Sequence, residues 1–263
     1  MVDPETGEET LIRQGGLLHD HDHGHDHHHH HTHEGDDKRH AHGPNGEIIS
    51  LEQAVLSKND SIAARNRGWF EGRGVLALNL VSSPGAGKTT LLERTIAEMA
   101  GKRKIYVIEG DQMTSNDAER IRAAGARAIQ INTGAGCHLE ADMIADAVAT
   151  LDPKPGALLL IENVGNLVCP SMFDLGEHMK VAVISTTEGE DKPLKYPHMF
   201  RAAGLVIINK IDLAPHVDFD EDLCRRNIAE VNGTARIFSL SAKTAEGMDN
   251  WLGFLDGAVV GRR

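Results

Sequence analysis

The chain has 263 residues, 39 acidic and 27 basic, for a formal charge of −12; 40 % are hydrophobic, enough to bury a sizeable core. No apolar run approaches the roughly 20 residues of a membrane span, and the N-terminus (Met1-Val2-Asp3-Pro4-Glu5) is acidic where a secretory leader is basic. The acidic balance argues against a nucleic-acid partner, and three cysteines (Cys137, Cys169, Cys224) cannot frame a disulfide scaffold, which fits a reducing cytoplasm.

Residues 1–44 carry 10 acidic and 3 basic side chains and twelve of the 16 histidines, without apolar periodicity. This composition predicts a disordered tail. Its His19, His21, His23, His25, His27, His28, His29, His30, His31 and His33 offer many imidazoles on a flexible chain, suited to loose binding of borderline divalent metals such as nickel. An expression tag or a plain solvated spacer are the blander readings; the interspersed Asp and Gly argue against a tag. The Gly43-Pro44-Asn45-Gly46 turn closes the tail, so 45–263 is expected to be the folded domain.

A helix is predicted over 50–72, with Ser50 and Gln53 forming a capping box. Strand candidates then follow at 76–81, 104–109, 127–132, 157–161, 180–185, 205–209 and 235–240. Helical patterns lie between most of them, near 88–100, 116–124, 138–150, 219–231 and 245–258. Near-continuous apolar strands separated by helices predict an α/β fold, a parallel sheet covered on both faces.

The first strand runs into Ser82-Ser83-Pro84-Gly85-Ala86-Gly87-Lys88-Thr89-Thr90 and then a helix, the context of a phosphate-binding P-loop with Ser82 in place of the first consensus Gly. The glycines let successive N–H groups face phosphate oxygens, Lys88 would reach the β/γ-phosphates, and Thr89 would ligate Mg²⁺. Asn209-Lys210-Ile211-Asp212 ends a later strand, and Ser241-Ala242-Lys243 follows the last. Asp212 can accept two hydrogen bonds from guanine, Lys210 can lie along the base, Asn209 can tie the loop to the P-loop, and the 241–243 loop can offer an N–H to the guanine carbonyl. Together they predict GTP over ATP. Glu162, before Val164-Gly165-Asn166, stands where a carboxylate holds magnesium, and the Gly165 N–H could sense the γ-phosphate. Asn166 occupies the place of a water-orienting Gln, which predicts slow turnover speeded by a partner or a dimer. Asp111 is the candidate second magnesium or water-positioning carboxylate, with a turn or cap role as the plainer reading and Asp117 as its rival.

Cys137-His138 is expected to open a helix, where a thiol's pKa falls, and Cys169 closes the Glu162 loop. Two thiolates and an imidazole suit Zn²⁺ or Ni²⁺, although adjacent Cys and His also occur by chance. Cys224 reads as core; His178, His198 and His216 read as ordinary histidines.

Taken together, Ser83 to Thr90, Gly136-Cys137-His138-Leu139, the string from Glu162 to Pro170, and Asn209 to Asp212 closely resemble the HypB family of hydrogenase nickel-incorporation GTPases, over roughly residues 45–260. The resemblance implies a P-loop NTPase of the SIMIBI class and a GTP-promoted homodimer, with Leu213 and Val217 near its interface. It also implies nickel delivery to the [NiFe]-hydrogenase large subunit with a HypA-type accessory protein, and a Ni/Zn site at the subunit interface formed by Cys137, His138 and Cys169. The histidine tail resembles the nickel-storing variants. The urease-maturation GTPases share several motifs but not the Glu162–Pro170 string; a passive nickel-storage protein is the reading from another class.

Overall fold

The computed structural model describes residues 40–42, 48–111, 116–134 and 136–258. The ten histidines from His19 to His33, read as loose nickel storage, lie outside the described residues. A short antiparallel hairpin, β1 (His40–His42) with β2 (Ile48–Ser50), precedes helix α1 (Leu51–Arg73). Paired backbone therefore reaches back to His40, inside the stretch that composition alone reads as disordered.

The rest alternates strand and helix. In chain order it runs β3 (Leu76–Ser82), α2 (Lys88–Glu98), β4 (Ile105–Asp111), α3 (Asn116–Ala123), β5 (Arg127–Asn132), α4 (Ala141–Leu151), β6 (Leu158–Glu162), α5 (Cys169–Met172), β7 (Met179–Ser185), α6 (Lys192–Lys195), α7 (Pro197–Ala202), β8 (Ala203–Asn209), α8 (Glu221–Val231), β9 (Arg236–Ser239) and α9 (Met248–Gly257). All seven predicted strands and all six predicted helices appear. The three short helices α5 to α7 were not predicted; they are too brief for a periodic pattern, and each begins at or beside a proline, whose fixed φ suits a first turn.

The sheet order is β5-β4-β6-β3-β7-β8-β9, every pair parallel. The alternation along β3 explains the three layers. Leu76, Leu78 and Leu80 pack with Leu91 and Ile96 of α2, Ile121 of α3 and Trp251 of α9. On the other face, Ala77 packs with Phe70 of α1 and Ile144 and Leu151 of α4, while Val81 joins Phe200 of α7 and Ile228 of α8. Because β3 lies between β6 and β7, connections leave it in opposite directions. The crevice at its C-terminal end is the place where an open parallel sheet takes ligands.

One of the boundaries that differ from expectation moves residues of the site. Helix α4 starts at Ala141, not at His138, because Glu140 is extended (φ −115°, ψ 161°). The Leu139 N–H is held by Asn163 Oδ1 at 3.2 Å, and its side chain fills the space beside Gly110, where a Cβ would lie 2.8 Å away. Cys137 and His138 thus sit in a bend before the helix, not at its N-terminus.

Candidate functional site

The loop after β3 folds as its glycines require. Gly85 and Gly87 take φ +77° and +96°, conformations that L side chains rarely adopt, and Gly87 caps α2. Lys88 is buried and donates from Nζ to Ser82 Oγ at 2.8 Å, so the residue that departs from the consensus is the lysine's partner. Burial lowers the Lys88 pKa, against the pull of Glu162 and Asp117.

Thr89 donates from Oγ1 to Glu162 Oε1 at 2.8 Å. Parallel register sets Glu109 of β4 beside Glu162 of β6, and both are buried. Burial, with the neighbouring carboxylate second, raises Glu109 from the ordinary 4.5 to about 8. Burial raises Glu162 to about 7, against the Lys88 ammonium. Glu109 Oε2 and Glu162 Oε2 have no hydrogen-bond partner among the described residues. Together with the Thr89 hydroxyl and Asp111, they line a cleft of about 520 Å³ that also holds Asp117, Arg120, Gly165 and Lys210. Hard carboxylate oxygens around a hydroxyl are the donor set Mg²⁺ takes, so the residues present fit that ion. Gly165 packs on the P-loop: a Cβ there would lie 3.0 Å from Pro84 Cγ.

The base-side residues converge on Asn209. Its Nδ2 donates to Ala86 O at 2.9 Å, and its Oδ1 accepts from Lys210 N at 2.8 Å and Ala242 N at 3.1 Å. One buried side chain thus joins the P-loop, the loop after β8 and the loop after β9. Lys210, at φ +62°, reaches Gly85 O with Nζ at 2.6 Å. Asp212 Oδ1 is buried without a partner among the described residues, an acceptor open to a ligand's N–H groups. Ser241 is buried and accepts from Thr244 N through Oγ, whereas Lys243 is exposed. Thr90 lies on the cleft wall. Leu213 and Val217 are part-exposed, outside the core.

Across the Glu162 loop, Cys137, His138 and Cys169 come together with one ligand atom from each within 4.8 Å of the others. Sγ of Cys137 lies 2.9 Å from Sγ of Cys169 and 3.6 Å from His138 Nδ1, and the thiols are free. The nearby Cys169 sulfur, then burial, pushes the Cys137 thiol above its ordinary range, the reverse of the fall expected for a helix N-terminus that the chain does not form there. Burial lowers the His138 pKa, with Glu140 opposing, which favours the neutral ring that can ligate. Its face lies on the Phe173 ring at 3.9 Å, and its Nε2 has no hydrogen-bond partner among the described residues. Two sulfurs and an imidazole nitrogen, half-buried, form an incomplete tetrahedral set for Zn²⁺ or Ni²⁺.

Cys224 is core as expected, its thiol pushed by burial to about 12. His198 and His216 are exposed. His178, read as ordinary, accepts the Ala77 N–H through Nδ1 at 3.1 Å. Sequence reasoning missed Glu109, Asn163, Phe173 and two arginines. Arg94 donates to Ala242 O and Lys243 O, holding the 241–243 loop from α2, and Arg120 pairs with Glu93 and Asp117 at the cleft mouth. None of these carried a motif; Glu109 becomes a site residue only because β4 lies beside β6.

The family model described as CobW/HypB/UreG, nucleotide-binding domain, matches residues 76–239. The hydrogenase maturation factor HypB of Rhizobium leguminosarum bv. viciae is 58 % identical over 224 residues, covering 85 % of this chain and 75 % of that one. That of Escherichia coli K12 is 54 % identical over 232 residues, covering 85 % and 80 %. Among solved structures, HypB from Archaeoglobus fulgidus is similar with a TM-score of 0.71 at 40 % identity, over 76 % of this chain and 98 % of that one. HypB from Helicobacter pylori in complex with nickel is similar with a TM-score of 0.72 at 42 % identity, over 75 % and 93 %.

Proposed function

The chain belongs to the HypB branch of the CobW/HypB/UreG nucleotide-binding family, and from that premise we propose that it is a GTP-hydrolysing nickel metallochaperone of [NiFe]-hydrogenase maturation. In this reading, residues 45–263 are the GTPase domain, 1–44 a nickel-holding tail, and the protein works in the cytoplasm as a GTP-promoted homodimer. A HypA-type protein and the hydrogenase large subunit are its partners. The observation that carries the reading is the loop from Glu162 to Cys169: its first residue faces the P-loop threonine and its last faces Cys137.

The steps follow from the side chains. Amides of Gly85 to Thr90 cradle the phosphates, and the Lys88 ammonium moves from Ser82 Oγ to the β/γ-phosphate oxygens. Magnesium, when bound, neutralises developing charge on those oxygens, with Thr89, Glu162 and Asp111 as the residues that would hold it. Asp111 also orients the attacking water, and Gly165 N–H faces the γ-phosphate. Asp212 accepts the paired guanine donors; since Ala242 N–H is already bonded to Asn209, the guanine carbonyl falls to Lys243 N–H. Nickel is the cargo at Cys137, His138 and Cys169, a site zinc also suits. The reading is tested by GTP turnover and nickel equivalents in the full chain and in Cys137→Ala. Loss of one tight equivalent with turnover retained supports it; an unchanged equivalent count, or no turnover in either, refutes it.

A further inference from the structure

In a chain of net charge −12, one concavity is walled by cations. Lys102-Arg103-Lys104 is the only run of three Lys or Arg in the sequence. With Arg127 and Lys154 it lines a hollow of about 500 Å³, and no carboxylate lines that hollow among the described residues. Lys104 precedes β4, Arg127 opens β5 and Lys154 lies just before β6, so the hollow sits at the N-terminal edge of the sheet. The nucleotide crevice is at the other edge, about 20 Å away along strands of six or seven residues. Arg103 is a fixed charge. Its N–H groups bond to the carbonyls of Gly156, Ala157, Leu255 and Ala258, which hold the guanidinium without cancelling it. Lys102 and Lys104 are exposed and have no ion-pair partner among the described residues. Asp152, shared between Lys154 and Arg73, and Asp256, which acts on Arg103, oppose the cations without outnumbering them. Such a surplus fits an acidic segment.

The chain itself carries one. From His19 to His33 it holds Asp20, Asp22 and Asp26 and no Lys or Arg, a formal charge of −3. Reach selects this stretch. The chain enters the described fold at His40, in the hairpin before α1, and α1, of 23 residues, is about 34 Å long. Its far end, Arg73, donates to Asp152 and to Pro153 O, beside Lys154. The hollow is therefore about one helix length from the root of the tail. Glu34, Asp36 and Asp37 lie within six residues of His40, about 20 Å of extended chain, and fall short. Asp26 and Asp20, fourteen and twenty residues back, reach about 46 and 66 Å. The acidic residues from Asp3 to Glu9 also reach, but on tethers nearly twice as long, which lowers their effective concentration.

We propose that the basic hollow docks the metal-free histidine stretch, residues 19–33, and that nickel releases it. This rests on the reading above, in which the tail holds nickel. Two Ni²⁺ on neutral imidazoles change the stretch from −3 to +1, so attraction to the hollow turns to repulsion. By linkage, docking and nickel binding on the tail oppose each other by the same factor. The placement has a consequence for the cysteine–histidine cluster. The N-terminal half of α1 lies on the cluster's side, since Asn59 Oδ1 accepts from Ala141 N–H at 2.9 Å, three residues past His138. Ten empty imidazoles there compete for the cluster's metal; docked, they are held at the opposite end of the domain.

The test is zero-length carbodiimide coupling of carboxylates to lysines in the full chain, on an equal mixture of unlabelled and ¹⁵N-labelled protein. Peptide mass spectrometry then separates links within a chain from links between copies. Links within one chain from Asp20, Asp22 or Asp26 to Lys102, Lys104 or Lys154 are expected at low salt, and should drop about fivefold or more in about 0.5 M NaCl. Absence of these links overturns the proposal, as do links from Asp3 to Glu9 alone or between copies alone; the hollow then belongs to an acidic partner peptide, another segment or a second copy. Because nickel can itself shield the aspartates from the reagent, its effect is read by titration. In Cys137→Ala, adding Lys102→Gln, Lys104→Gln and Lys154→Gln together should raise the Ni²⁺ affinity of the tail by about threefold or more at low salt, and leave it unchanged in about 0.5 M NaCl. These lysines are all exposed, so the fold tolerates the changes. An affinity unmoved at low salt overturns the proposal while the tail reading stands. If Cys137→Ala takes up no nickel that removal of residues 1–39 abolishes, the tail reading fails, and the proposal with it.

Discussion

At the scale of single residues, the site is built on carboxylates whose surroundings do not satisfy them. Asp212 presents a buried oxygen without a partner among the described residues, which is the condition for strong discrimination: a base lacking paired donors leaves that charge unsolvated. Asp212→Asn should cut GTP affinity by roughly 10² to 10⁴-fold and shift preference to xanthine nucleotides, read by nucleotide titration. Glu109 gives a pH prediction. Its folded-state pKa, about 8, lies above the ordinary 4.5, so the folded protein holds a proton that the unfolded chain has released in between. Stability of the metal- and nucleotide-free protein should therefore be fully present below pH 4.5 as far as this group goes, and decline as pH rises toward 8. Glu109→Gln removes that loss. In chelator it should melt like the parent near pH 5 and be more stable by about 1–3 kcal/mol near pH 8, checked by thermal unfolding at both values. Asp212 could be read from its motif. Glu109 could not, because it becomes a site residue only when β4 and β6 lie side by side.

At the scale of elements, α1 is part of the site's support. Asn59 Nδ2 donates to Asp174 O, Asn66 Nδ2 to Leu175 O and Ala141 O, and Arg67 pairs with Asp174 at 2.6 Å. These bonds clamp the stretch after Phe173 and the start of α4, the two flanks of His138. Gly176 allows the approach: its φ is +87°, and a Cβ there would lie 2.5 Å from Ala63 O. Gly176→Ala should cost about 2–4 kcal/mol of stability by chemical denaturation and loosen nickel at the cluster before it affects GDP binding. If nickel and GDP affinities fell together, the clamp would have no special relation to the metal side. The helix itself was readable from its periodicity; its partners were not, since they come from segments about 75 to 115 residues away, beyond the reach of any local pattern.

At the scale of the whole molecule, charge and chemistry divide between tail and domain. The tail holds 10 acidic and 3 basic side chains, −7 of the total −12, with most of the histidines. Removing residues 1–39 should abolish the loose nickel equivalents while leaving GTP turnover and the Cys137-dependent equivalent intact; metal analysis after dialysis, with a turnover assay, checks both. The fold, the phosphate loop and the loops proposed to read guanine were legible in the amino-acid order, because strand–helix alternation and the glycine, lysine and Asn-Lys-x-Asp spacings are short-range properties that backbone sterics and hydrophobic burial enforce locally. The juxtapositions waited for the tertiary structure. Sheet order brought Glu109 beside Glu162, and Asn209 to both neighbouring loops. An extended bend, not a helix end, placed Cys137 against Cys169 and reversed the expected direction of its thiol pKa. These depend on which distant groups share a buried volume, and so on the closure of the whole sheet with its helices, which no window of sequence contains.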